Sequence, residues 1–179
     1  VHIITREKDC ISPYLSWESD VTEYIGVERM DLCAIGVNGV LYPPGCRTES
    51  WFNIDDIMKY AKNQDDLWLK FNEIIEGIPT VYTGMDGYDR VIEETQVNAL
   101  YIQNAYGGDN DMCIKQLTKR LKSDYRIQYQ QWYDSLMEMK EFLLKKRNYY
   151  KSKLGNVLEK WNAEKIYICG AGRYAHIMF

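Results

Sequence analysis

From Arg126 to Trp161 the chain has no proline and a single glycine, Gly155, and no other feature restricts the backbone as strongly. Proline and glycine are the residues that most readily end a helix, so this stretch predicts a long helix. Ile127, Trp132, Leu136, Met139, Leu143, Tyr150, Leu154, Val157 and Trp161 recur at spacings that put them on one helical stripe. Gly155 is the point at which a break is expected.

The rest of the chain is punctuated differently. Residues 1–5 have strand character, and an irregular stretch with Pro13, Tyr14 and Trp17 follows. The segment 31–42 is apolar and β-branched, reads as a strand interrupted by Gly36 and Gly39, and ends at Pro43-Pro44-Gly45. Residues 54–62 predict a short helix capped by Asn53, with Asp55 and Asp56 in its first turn. Residues 66–76 predict another, with Leu67, Phe71, Ile74 and Ile75 on one face and Gly77 ending it. A strand is expected at 78–83 and further helices at 96–104 and 112–122. The class is α/β, with short strands and several helices followed by a long helical segment.

Charge divides the chain as well. Residues 1–114 carry 8 Lys/Arg against 20 Asp/Glu, whereas residues 115–165 carry 13 against 6. One acidic and one basic part predict two structural units. The expected organisation is residues 1–114, a basic helical segment at 115–164, and a third piece at 165–179. That last piece, KIYICGAGRYA at 165–175, has the G-x-G-x-x-A spacing (Gly170, Gly172, Ala175) of a strand turning into a dinucleotide-binding helix. Only four residues follow Ala175, so it reads as the truncated start of a Rossmann-like domain, too short to hold NAD by itself.

Five cysteines (Cys10, Cys33, Cys46, Cys113, Cys169) are scattered without a C-x-x-C pair, and there are two histidines, His2 and His176. This pattern speaks against a disulfide framework and against a zinc site. No apolar run approaches the ~20 residues that span a bilayer, and residues 1–10 do not read as a signal peptide. A cytoplasmic location is the expectation. For the cations Lys115, Lys119, Arg120, Lys122, Lys145, Lys146, Arg147, Lys151 and Lys153, three readings compete: a solvated helix face, peripheral contact with anionic lipid at the inner face of a membrane, or nucleic acid. No recognition motif supports nucleic acid.

Two segments carry the functional signal: GVNGVLYPPG at 36–45 and QDDLWLK at 64–70. Asp65 and Asp66 stand where a helix begins, so they read either as a cap with a companion charge or as a general base. Trp68 reads as core or as a platform for a sugar ring. Gly36 and Gly39 read as bulges in a buried strand or as a backbone wall against a ligand. Asp109-Asn110-Asp111 opens a helix behind Gly107-Gly108 and reads as a cap, with no metal assigned.

In this order, and followed by QVNALYIQN at 96–104 and GGDND at 107–111, these segments resemble the C-terminal half of a bacterial GT-A-type glycosyltransferase of surface-polysaccharide biosynthesis, over residues 1 to about 115. The resemblance implies an acceptor-side half whose donor-binding half, with its D-x-D motif, lies outside this sequence. It implies a hexosyl-type transferase that moves a sugar from a nucleotide-diphosphate donor to a saccharide or lipid-linked saccharide, by single displacement as in the inverting members. Asp66 would be the base with Asp65 beside it, and Gly36, Gly39, Tyr42, Pro44, Gly45 and Trp68 would meet substrate. A divalent ion, Mg or Mn, is expected in the intact enzyme, with its ligands in the other half and none here. By itself the chain is expected to be inactive. Two alternatives remain: a non-catalytic interaction module that docks a partner through its aromatic and basic helix, and an NAD-dependent enzyme built on Gly170 and Gly172.

Overall fold

The computed structural model describes residues 1–19, 21–85 and 99–161, with side chains for all of these except Asn38 and residues 154–161. The chain is mixed α/β. Its strands are β1 (His2–Ile3), β2 (Arg6–Glu7), β3 (Cys10–Ile11), β4 (Glu28–Arg29), β5 (Leu32–Cys33) and β6 (Thr80–Val81), and its helices are α1 (Ile54–Tyr60), α2 (Asp65–Glu76), α3 (Asp109–Asp124), α4 (Arg126–Ser135) and α5 (Met139–Trp161). The strands form antiparallel pairs, β1 with β5, β2 with β3 and β4 with β6. Residues 1–136 make one compact unit, and a second begins at Met137. The expected boundary at 114 thus falls inside α3, whose Cys113, Leu117 and Leu121 are buried in the core of the first unit.

Helix α2 is the spine of that unit. It buries Leu67, Trp68, Lys70, Phe71, Asn72, Glu73 and Ile74, a spread too wide for one stripe, because α3, α4, β5 and the 3₁₀ turn Glu49–Phe52 surround it. Its C-terminus is set by Gly77 at φ 69°, in the left-handed region where a Cβ is disfavoured. The Trp68 indole N–H donates to the Trp51 carbonyl at 2.8 Å, and its ring stacks on Phe71 with centroids 5.4 Å apart. Helix α1 begins as expected, with Asn53 Oδ1 accepting the Asp56 N–H at 3.1 Å.

One charged pair is sealed inside this core. Lys70 Nζ lies 3.1 Å from Glu73 Oε2, with both side chains 4% exposed. Thr80 of β6 donates to the same Glu73 oxygen at 3.1 Å and accepts from Lys70 at 3.3 Å, and the Tyr42 hydroxyl donates to Glu73 Oε1 at 2.8 Å. Both Glu73 oxygens are thereby satisfied, which is what a buried carboxylate requires.

Two sequence expectations are corrected. The segment 31–42 pairs as a strand only at Leu32–Cys33, and Gly36–Asn38 then makes a 3₁₀ turn with Gly39 at φ 87°. The Gly36 N–H donates to a side chain of α2 rather than to a neighbouring strand, so Gly36 and Gly39 are not strand bulges. The long helix expected from 126 is broken at 136–138, not at Gly155, which lies inside α5. Leu136 adopts an extended backbone and is buried, and its carbonyl accepts the Arg6 Nε–H at 3.0 Å, a bond that an uninterrupted helix would have claimed for itself.

In the second unit, Lys153 Nζ lies 5.0 Å from the Tyr149 ring and Lys146 Nζ 5.9 Å from the Tyr150 ring, so part of the basic run is spent on aromatic faces of its own helix. No helix among the described residues is long and apolar enough to cross a membrane. The expected strand and glycine turn at 165–179 lie outside the described residues, as do residues 96–98 of the helix expected at 96–104.

The buried pair yields a stability test. Glu73→Leu strands the Lys70 ammonium in the core and is expected to cost about 3–5 kcal/mol in urea denaturation. The double variant Lys70→Met/Glu73→Leu is expected to recover much of that loss. A single variant as stable as the parent would contradict the pairing.

Candidate functional site

Asp65 and Asp66 occupy the first two positions of α2, behind Gln64, whose side chain makes no capping bond. Asp66 does not cap its own helix either. Its Oδ1 accepts the Gly36 N–H at 2.9 Å and so ties the 36–45 loop to α2. Glu73 lies seven residues further on, two turns along the same face and about 10 Å up the axis, where it holds Tyr42. The two motifs that stand apart in the sequence are thus one structure. The loop is held against a single helix face by two carboxylates, one at each end.

The room beside Gly36 is small. A Cβ built there would approach Asp66 Oδ1 to 3.1 Å, so a side chain would press on the bond that fixes the loop.

Two clefts flank this arrangement, and Ile35 lines both. The first, of about 230 Å³, brings Asp65 and Asp66 together with Tyr14, Tyr101, Asn104 and Asn110. Its rim is fixed by amides: Gln64 Nε2 donates to Asn104 Oδ1 at 3.0 Å, and Asn104 Nδ2 donates to the Asn63 carbonyl at 2.8 Å. Tyr14 is anchored by its backbone N–H, which donates to Asp111 Oδ1 at 2.7 Å. The second cleft, of about 520 Å³, is lined by Gly39, Tyr42, Pro43, Glu73 and Thr80 among others.

The electrostatics of the first cleft favour proton acceptance. Burial raises the Asp66 pKa above the ordinary aspartate range; the Gly36 N–H opposes that rise, and the neighbouring Asp65 charge adds to it. A carboxylate so placed is a stronger base than one in water. Burial pushes the Tyr14 phenol up to about 12, so it stays protonated at neutral pH. Tyr42 is also raised, by burial and by the Glu73 carboxylate it serves.

The other expected site residues divide. Asp65 is exposed at the mouth of the first cleft, and Gly39 and Tyr42 line the second. Pro44 and Gly45 are exposed and line neither of these two clefts. Trp68 is corrected: it is 4% exposed, with its ring against Phe71, so no sugar can stack on it. Asp109 and Asp111 open α3, and Asp111 serves Tyr14. Among the described residues no three His, Cys, Asp or Glu side chains converge as metal ligands.

Sequence reasoning missed Tyr14, Tyr101 and Asn110 in the first cleft and Glu73 in the second. For Glu73 a signal was available, since Lys70 and Glu73 interrupt the apolar face of α2 at i, i+3 spacing. The other three come from distant segments; Tyr101 and Asn110 lie in the 96–104 and 107–111 segments named above, but no spacing there links them to Asp66. Comparison with protein-family models, with curated proteins and with solved structures found no match to this chain.

Because the folded pKa of Asp66 lies above its unfolded one, its contribution to stability is fully present below the unfolded value. That contribution is lost as the pH rises through the folded value. Asp66→Asn removes the titration and keeps an acceptor for Gly36. The variant is expected to be as stable as the parent or more so at pH 7, with its advantage shrinking as the pH falls toward about 4. A loss of stability that grows with pH would contradict a raised pKa.

Proposed function

We propose that residues 1–136 form the acceptor-side part of a glycosyltransferase, with Asp66 as the general base. The observation that carries this reading is the half-buried Asp66 carboxylate, oriented by the Gly36 N–H and opening into a cleft of tyrosines and amides. Aromatic faces and side-chain amides are the groups that suit a polyhydroxylated ligand, because a sugar offers both C–H faces and hydroxyls.

In the reaction, an acceptor hydroxyl binds in the first cleft within hydrogen-bonding distance of Asp66. As its oxygen attacks the anomeric carbon of the donor sugar, Asp66 takes the proton and the bond to the nucleoside diphosphate breaks. Asp65, beside it at the cleft mouth, orients the acceptor. The donor and its divalent ion belong to a half outside residues 1–179, in line with the resemblance of the two motifs.

The exposed apolar tip of the 36–45 loop favours a second reading. Val37 is 72% and Leu41 96% exposed, a surface suited to docking another polypeptide. A non-catalytic docking module would need that surface and not the Asp66 carboxylate.

The test is transfer by the protein that carries both halves, with nucleotide-sugar donors and saccharide acceptors. Asp66→Asn is expected to lower kcat by about 10²–10⁴-fold with the melting temperature held. Asp65→Asn is expected to lose less. Normal turnover in both variants would reject the base and leave the docking module.

A further inference from the structure

At the corner between α3 and α4, in a region untouched by either cleft above, three exposed cations come together. Lys8 comes from the β2–β3 turn, Lys122 from the last turn of α3 and Arg126 from the first position of α4, and all three line one cleft of about 380 Å³. Among the described residues none of them has a carboxylate within salt-bridge distance. Asp9 is the one acidic residue in the lining, so the cleft carries an excess of positive charge within an otherwise acidic unit.

All three side chains are exposed, so water solvates them in the free protein. Lys122 at a helix C-terminus is favoured by the helix dipole, but Arg126 at a helix N-terminus is opposed by it. Lys8 adds a like charge from another element, where it gains neither a helix end nor a carboxylate. An anion in the cleft would satisfy all three and would also meet the positive end of α4.

The wall is formed by Tyr129 and Tyr133, whose rings stack with centroids 5.3 Å apart at 28°. Tyr133 is fixed by its hydroxyl, which donates to the Glu7 carbonyl at 3.0 Å, while Lys122 Nζ is held 5.2 Å from the Tyr129 ring. Gln130 Nε2 donates to Asp134 Oδ1 at 2.9 Å. The tyrosine wall is a rigid surface, and the three cations belong to three different elements of one folded unit.

We propose that this cleft is a binding site for a phosphoryl anion of the diphosphate class, gripped by Lys8, Lys122 and Arg126. The chemistry is charge-assisted hydrogen bonding, with the Arg126 fork suited to two phosphate oxygens and the lysines acting as point charges. This assignment is independent of the glycosyltransferase reading, since it shares no residue with Asp66, the 36–45 loop or their clefts.

The experiment is a titration of the full chain with inorganic pyrophosphate at low ionic strength, followed by ¹H–¹⁵N NMR. The expected result is saturable shifts centred on Lys8, Lys122 and Arg126. The affinity should fall about tenfold or more in Lys8→Gln/Lys122→Gln/Arg126→Gln and weaken stepwise in the single variants. Lys145→Gln/Lys146→Gln in α5 should leave it unchanged. A second arm uses vesicles of phosphatidylglycerol against vesicles of phosphatidylcholine. Binding to the former alone, lost in the triple variant, assigns the phosphoryl group to a lipid headgroup; pyrophosphate saturation without vesicle binding assigns it to a soluble diphosphate. Absence of saturable binding to either probe, or equal affinity in parent and triple variant, overturns the proposal.

Discussion

The structure depends on two carboxylates placed seven residues apart on α2. Asp66 holds the backbone of Gly36 and Glu73 holds the hydroxyl of Tyr42, so the intervening loop lies along one helix face. Neither bond is local, and each replaces something that the chain could have done nearby. Asp66 forgoes capping its own helix, and Tyr42 gives its hydroxyl to a buried acid instead of to water. Their common effect is to keep residues 36–42 out of a strand and to open a cleft on either side of Ile35.

The two anchors differ in kind. Glu73 is buried, with one oxygen shared by Lys70 and Thr80 and the other held by Tyr42, so its contribution is structural. Asp66 is half-buried and has no cationic partner among the described residues. Burial keeps its proton affinity high, with the Asp65 charge adding to the rise and the Gly36 N–H and the N-terminal ammonium opposing it, and the backbone bond keeps it oriented. That combination is disadvantageous for stability and advantageous for taking a proton from a substrate. The same contrast separates the cations: Arg120 is committed to Asp56 at 2.8 Å, whereas Lys8, Lys122 and Arg126 have no carboxylate within salt-bridge distance among the described residues.

The helices were legible in the sequence because their signals are local. The Asn53 cap and the Gly77 stop each act within a few residues, and the structure reproduces them. The strand expected at 31–42 was not, because its β-branched composition is outweighed by a bond from Gly36 to a residue thirty positions away. The break at 136–138 was hidden for the same reason, since it depends on Arg6 reaching the Leu136 carbonyl from the other end of the unit. At the site, the acidic pair and the loop could be found from their motifs. Tyr14, Tyr101 and Asn110 could not, since only folding brings them to α2. Trp68 shows the opposite error: a residue beside the acidic pair in sequence points into the core, because the helix turns it about 200° from Asp66.

The central claim is that Asp66 and Gly36 form one unit, with the carboxylate titrating in contact with that backbone N–H. The most direct measurement is the pH dependence of the Gly36 amide proton by NMR, in the parent and in Asp66→Ala. The account predicts a downfield Gly36 resonance that titrates with a midpoint above the ordinary aspartate range and loses both its shift and its titration in the variant. A Gly36 amide that is indifferent to pH and unchanged by Asp66→Ala would contradict it.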